Sequence, residues 1–198
     1  MFVTFEGLDG SGKTTQVGLL AGRLQAEGRQ VVATREPGGT ALGEQIRGLV
    51  LHGGHVGPWA ETALYAASRA QHVEEVIRPA LERGAVVLCD RYVDSSVAYQ
   101  GVGRGLGLDR VLELNLAVVD GLMPDRTFLL RLEPDAVAGR LVGVADRLER
   151  AGDAFYRRVA AAYDELAERF PERIVAIDAA LPRDEIAEMV AASLGVRV

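Results

Sequence analysis

Short apolar runs and longer stretches with helical spacing alternate along this chain. Phe2-Val3-Thr4-Phe5, Gln30-Val31-Val32-Ala33-Thr34 and Ala85-Val86-Val87-Leu88-Cys89 are brief and include β-branched residues, so they predict strands at 2–6, 30–34 and 85–89. Runs at 126–132 and 173–177 read the same way. Between them, apolar residues recur at helical intervals, predicting helices near 13–27, 41–51, 60–82, 94–100, 107–118, 134–142, 153–169 and 183–194. Val17, Leu20, Ala21 and Leu24 form one such stripe, and Phe155, Val159, Ala162, Tyr163 and Leu166 another. Both read as core. In the 60–82 segment Pro79 is expected to kink the helix, and Gly84 to stop it.

No linker, repeat or low-complexity block interrupts the pattern. It predicts an α/β protein of one domain, residues 1–198, with a parallel sheet covered by helices on both faces. In such sheets ligands gather beyond the carboxyl ends of the strands. Asp9, Arg35, Asp90, Arg91 and Arg131 are therefore expected to be neighbours despite their separation in sequence.

One loop on that edge carries chemistry. Gly7-Leu8-Asp9-Gly10-Ser11-Gly12-Lys13-Thr14 fits the pattern G-x-x-x-x-G-K-[ST] and lies between the first predicted strand and the first predicted helix. Glycines let the backbone curl until successive N–H groups face one anion, and the helix N-terminus adds partial positive charge. Lys13 can reach terminal phosphates, and the Thr14 hydroxyl can hold Mg²⁺. The loop predicts a nucleoside triphosphate site, with ATP held by residues 7–14 and Thr15.

Composition narrows the partners. The 198 residues carry a formal charge of −6, which disfavours a nucleic-acid surface but leaves room for a basic cleft around a small anion. Cys89 is the single cysteine, so no internal disulfide framework is possible. No apolar stretch reaches membrane-spanning length. The expectation is a cytoplasmic protein with no membrane and no nucleic-acid partner.

Val86-Val87-Leu88-Cys89-Asp90 is an apolar run ending in a carboxylate, the acid that a nucleotide site places near its metal, commonly through water. Arg91 follows directly. A guanine-reading Asn-Lys-x-Asp is missing, since Asn115 is followed by Leu116, and the Asp-Glu pair of motor ATPases is missing because Asp90 precedes Arg91. A transferase fits better. Gly101-Val102-Gly103-Arg104-Gly105-Leu106-Gly107 superficially suggests a dinucleotide fingerprint, but Leu106 takes the third glycine's place and no strand precedes it. His52 and His55 read as a polar turn, His72 carries no signal of its own, and Cys89 reads as a buried strand residue.

Three further stretches bring in a resemblance: Thr34-Arg35-Glu36-Pro37-Gly38-Gly39-Thr40, Ala66-Ala67-Ser68-Arg69-Ala70-Gln71, and the segment from Asp90-Arg91-Tyr92 to Tyr99-Gln100-Gly101. With the phosphate loop, their order and spacing resemble the bacterial thymidylate kinases from about residue 2 to residue 190. The resemblance implies a P-loop three-layer fold with a five-stranded parallel sheet and a short mobile lid. It implies transfer of the γ-phosphoryl group of ATP to dTMP, giving dTDP and ADP, with Mg²⁺ and usually as a homodimer. By position it makes Arg69 and Ser96 readers of the thymine edge and Tyr65 a ring against the base. Tyr99 would exclude a ribose 2′-hydroxyl, Asp9 would hold the sugar 3′-hydroxyl, and Arg35, Arg91 and Gln100 would serve the acceptor phosphate and the 3′ side of the sugar.

The acceptor of such a reaction is a phosphate oxygen, already anionic at neutral pH, so no base has to remove its proton. The obstacle is charge repulsion and alignment, which arginine forks and lysine relieve. Lys13, Arg91 and Arg147 are thus the expected catalytic cations, and Thr14 and Asp90 the metal-side groups. The lid at 140–150 departs from relatives by carrying Leu141, Val142 and Gly143, leaving Arg140, Arg147 and Arg150 as its cations. Arg131 also departs from the family's usual Asp and is expected to pair at the surface with Glu133 or Asp135. Another nucleoside monophosphate or deoxynucleoside kinase, or a P-loop ATPase or regulator, stays open as an alternative.

Overall fold

The computed structural model describes residues 1–137, 147–148 and 152–196. Its strands are β1 (Phe2–Glu6), β2 (Val31–Arg35), β3 (Val86–Asp90), β4 (Arg126–Arg131) and β5 (Ile174–Asp178). All pair in parallel in the order β2-β3-β1-β4-β5. The central β1 is buried at every residue, while β2 on the edge is only partly covered. That is why β1 mixes Phe, Val and Thr without alternation: it has no solvent face to mark.

The helices are α1 (Lys13–Ala26), α2 (Ala41–His52), α3 (Pro58–His72), α4 (Arg78–Glu82), α5 (Val93–Ser96), α6 (Leu108–Val118), α7 (Pro134–Val137), α8 (Asp153–Arg169) and α9 (Arg183–Ser193). The core gathers around β1, β3 and β4, with Phe5 and Phe128 stacked at 5.4 Å. The α8 stripe of Phe155, Val159, Ala162, Tyr163 and Leu166 is buried as expected.

Two stretches differ from simple helical periodicity. The segment expected as one helix over 60–82 is α3 joined to α4 through a π-helical turn, Val73–Ile77, where the Arg78 N–H bonds to the carbonyl of Val73, five residues back. Pro79 has no N–H and its ring crowds the carbonyl four residues earlier, and the wider turn accommodates it. Beyond α5 a second π-helical stretch, Val97–Gly103, extends past the expected end at residue 100. Gly103 lies against α8, where a Cβ would meet Phe155 Cε2 at 2.7 Å and Val159 Cγ2 at 3.0 Å. The glycines that mimic a dinucleotide motif therefore serve packing at this position. Only the Pro134–Val137 part of the helix expected at 134–142 lies within the described residues, as do only Arg147 and Leu148 of the expected lid.

Candidate active site

The chain leaves β1 at Glu6 and turns at Gly7, which has φ +134° and no room for a side chain, since a Cβ would lie 2.4 Å from the Leu130 carbonyl oxygen. Gly12, at φ +94°, sits at the N-terminus of α1, which has neither a side-chain cap nor an acid in its first turn. That helix start leaves its first N–H groups without a side-chain partner, an arrangement prepared for an anion. Lys13 Nζ folds back onto the carbonyls of Leu8 (2.7 Å) and Gly7 (3.2 Å). Burial and the neighbouring Arg91 charge lower its pKa to about 8.

The register sets the end of β3 beside this loop, with Asp90 opposite both Phe5 and Arg35. Thr14 Oγ1 donates to Asp90 Oδ2 at 2.5 Å, so the two expected metal-side groups are adjacent. Their ligand atoms are hard oxygens at the start of a helix, a set that suits Mg²⁺. Arg91 adopts φ +70°, which swings its guanidinium under the loop. There it reaches Asp9 Oδ1 (2.5 Å), the Gly7 carbonyl (3.0 Å) and Ser95 Oγ (3.1 Å). Burial pushes the Asp9 carboxyl up, but the Arg91 and Lys13 charges outweigh it and hold the pKa below the ordinary value. Asp9 is therefore an ion and an acceptor only. Tyr99 and Tyr156 hydroxyls, each at 3.3 Å, donate to its Oδ2.

Beyond Arg91 opens a cleft lined among others by Tyr65, Arg69, Ser96, Tyr99 and Gln100. Arg69 is 2 % exposed and nearly saturated. Its Nε donates to Glu36 Oε2 (2.7 Å), its Nη1 to Ser96 Oγ (3.0 Å) and to Asn115 Oδ1, and its Nη2 to the Tyr92 carbonyl (2.9 Å). A guanidinium has five N–H groups, so these four bonds leave one on Nη2. Gln100 Nε2 donates to Glu61 Oε1 at 2.8 Å. Arg35 is half exposed and forks onto Glu44, both bonds at 3.0 Å, at the rim of the phosphate-loop cavity.

The structure does not bring Arg147 to the phosphate loop. Its Nη1 pairs with the fully buried Glu61 at 2.6 Å and its Nε donates to the Val50 carbonyl at 2.8 Å, on the acceptor side of the molecule. A buried carboxylate draws the nearest cations, and Glu61 also holds Arg104 at 3.3 Å. Leu148 follows into the wall of the base cleft. Arg140 lies outside the described residues. Arg131 makes a surface pair as expected, but with Asp164 of α8 at 2.7 Å rather than with Glu133 or Asp135; Asp135 pairs with Arg157.

Several participants had no sequence signal. Glu6 lies inside β1 and accepts from the Tyr92 N–H (2.7 Å), Ser95 Oγ (2.5 Å) and Tyr163 Oη (2.9 Å), forming a shelf under Arg91. Burial, with Asp94 nearby, raises its pKa to about 7. Tyr156, Arg47, Glu61 and the pair Glu36–His72 likewise emerge only once distant segments meet.

A phosphate loop that opens onto an arginine-lined cleft beyond the same strand ends defines a P-loop phosphotransferase of the nucleotide-kinase kind. Residues 5–190 match the family model for thymidylate kinase. The chain is 55% identical over 191 residues to a thymidylate kinase of Clavibacter michiganensis, covering 94% of this chain and 90% of the relative. It is 52% identical over 183 residues to that of an Exiguobacterium species, covering 90% and 86%. The crystal structure of thymidylate kinase from Ehrlichia chaffeensis superposes with a TM-score of 0.83 at 35% identity, covering 99% of this chain and 98% of that one. This chain belongs to the thymidylate kinase family.

Proposed function

We propose that this chain transfers the γ-phosphoryl group of ATP to dTMP, giving dTDP and ADP. The observation that carries the reading is that two cavities meet: the phosphate-loop cavity and the base cleft share Asp9, Glu36, Arg47 and Arg91. An acceptor phosphate at that junction lies beside the donor phosphates, and its oxygen needs alignment and neutralisation rather than a base. Arg91 supplies a charge fixed from below by Ser95 and from beside by Asp9. Lys13 exchanges its loop carbonyls for donor phosphates. Thr14 and Asp90 would hold Mg²⁺, which supplies further charge neutralisation on the phosphates when bound.

Base choice follows from hydrogen-bond direction. The remaining Nη2 N–H of Arg69 wants an acceptor at position 4 of a pyrimidine, which thymine and uracil offer and cytosine, with an amino group there, does not. Asp9 has three of its roughly four acceptor positions filled by Arg91, Tyr99 and Tyr156, so one remains for the 3′-hydroxyl. Tyr65 lies against the base, Tyr99 on the side of the sugar where a 2′-hydroxyl would sit, and Arg35 and Gln100 at the phosphate rim and inner wall. Arg147 reaches donor phosphates only after release from Glu61, and Arg140 is the second lid cation.

The protein works as a homodimer in a reducing cytoplasm. Support comes from exposed Leu42, Leu49 and Trp59 on α2 and α3, which a partner would cover, and from a buried free thiol at Cys89. Among the described residues no helix is long and apolar enough to cross a membrane. Phosphorylation rates for dTMP, dUMP, dCMP, UMP and AMP with Mg²⁺-ATP test the reading. It expects dTMP to lead with dUMP second, and a preference for dCMP, UMP or AMP, or ATP hydrolysis without a phosphorylated nucleotide, would overturn it.

A further inference from the structure

The strand that leads into the acceptor cleft carries a chain of polar groups the reaction itself does not use. Thr34 Oγ1 lies 2.7 Å from His72 Nε2, His72 Nδ1 lies 2.9 Å from Glu36 Oε1, and Glu36 Oε2 accepts from Arg69 Nε at 2.7 Å. His72 is fully buried, Glu36 3 % exposed and Arg69 2 % exposed. Gly39 closes over the far end with φ +77°, and a Cβ there would lie 2.7 Å from both His72 Nε2 and Thr34 Oγ1. Backbone and side chains thus converge on one imidazole, although His72 is not itself among the residues lining the cleft.

We infer that His72 is a positioning residue for base recognition: through Glu36 it fixes the plane of the Arg69 guanidinium, and so the direction of the one N–H left for the base. The Glu36–Arg69 contact is a single charge-assisted bond, and it adds a firm orientation to the guanidinium only when the carboxylate is itself held through its other oxygen. Glu36 is locked in that way, since its two oxygens are divided between Arg69 and His72. The imidazole needs an Nδ1–H to hold the carboxylate, and the Thr34 hydroxyl can donate to Nε2 to select that tautomer.

A metal is the rival reading, because the ligand atoms of Glu36, His72 and Cys89 lie within 4.8 Å of one another. Those atoms are already committed: the carboxylate to Arg69 and His72, the imidazole to Thr34, and Cys89 Sγ to the Arg91 carbonyl at 3.1 Å. A cation there would have to strip Arg69 of its buried counter-ion, which is strongly unfavourable.

This inference rests on Arg69 reading the base, and the test separates the two. Steady-state kinetics with dTMP and dCMP are compared for wild type, His72→Phe, His72→Asn, Thr34→Val and Arg69→Lys. His72→Phe is expected to raise KM for dTMP about tenfold, with kcat within threefold and KM for ATP unchanged, the size expected for a lost bond to a charged group. His72→Asn keeps an N–H near the Nδ1 position and should return KM to within threefold of wild type. Thr34→Val, nearly isosteric, should raise KM two- to threefold, and it decides the matter if His72→Phe does not fold. Arg69→Lys should collapse the preference for dTMP over dCMP. If Arg69→Lys keeps that preference, the base-reading premise fails and the inference with it. If Arg69→Lys loses it while KM for dTMP stays at wild type in His72→Phe and Thr34→Val, or rises equally in His72→Phe and His72→Asn, the role of His72 alone is refuted.

Discussion

The two halves of the cleft are built from different materials. On the donor side the binding groups are backbone N–H groups, shaped by Gly7 and Gly12 and aimed by the start of α1. On the proposed acceptor side they are side chains, each held by a further side chain: Arg69 by Glu36, Arg91 by Ser95 and Asp9, Gln100 by Glu61. The contrast follows from what is recognised. A phosphate is a near-symmetric anion that any concave set of N–H groups satisfies. A base edge has a fixed order of donors and acceptors, so its reader must be held in direction as well as place. Rigidity on the acceptor side therefore comes from networks, which are sensitive to the loss of any member.

The largest effect should fall where the halves meet. Arg91→Ala is expected to lower kcat about 10³-fold, since a well-placed arginine in phosphoryl transfer is worth at least that much. A loss confined to KM for dTMP would mean Arg91 belongs to the acceptor side alone. Next comes a stability contrast. Glu61→Ala leaves the part-buried cations Arg104 and Arg147, and the buried Gln100, without their carboxylate and should destabilise the fold by about 3 kcal/mol, a fall in Tm of roughly 10 °C. Thr14→Ala, on the exposed donor side, should shift Tm by no more than a degree or two while lowering turnover. Equal shifts in calorimetry would erase the distinction between backbone-built and network-built halves.

The smallest effect is a pH slope. Burial raises the Glu6 pKa from 4.5 to about 7, so between those values the native protein keeps a proton that the unfolded chain releases. Its contribution is full below about pH 4.5 and declines as pH rises to about 7. Glu6→Gln carries no such titration, so its Tm measured relative to wild type should climb steadily across that window. A constant difference would show that Glu6 is ionised in the fold throughout.

The same contrast explains how much could be read from the chain itself. The phosphate loop is contiguous, and Asp90 ends an unbroken apolar run, so both were legible from spacing. The five strands follow from apolar runs, with ends off by a residue. Arg69 and Ser96 entered only through family resemblance, because nothing local distinguishes an arginine on a buried helix face. His72 carries no local signal because its partners, Thr34 near the end of β2 and Glu36 just beyond it, lie 38 and 36 residues away. Glu6, the last residue of β1, looks like an ordinary polar strand end. The π-helical stretches are too short for their wider period to show, and only Pro79 hints at the first. Arg147 is a lid cation by family resemblance, and its pairing with the distant Glu61 has no local signal in the sequence.

The central claim is that donor and acceptor phosphates meet over Arg91 between two cavities open at once. A single ligand with adenosine and thymidine joined through their 5′ positions by a polyphosphate chain tests it by calorimetric titration. The account predicts one site per chain, affinity at least 100-fold above that of ATP or dTMP alone, and loss of that gain in Arg91→Ala. Binding no tighter than ATP, with dTMP still able to enter the complex, would contradict it.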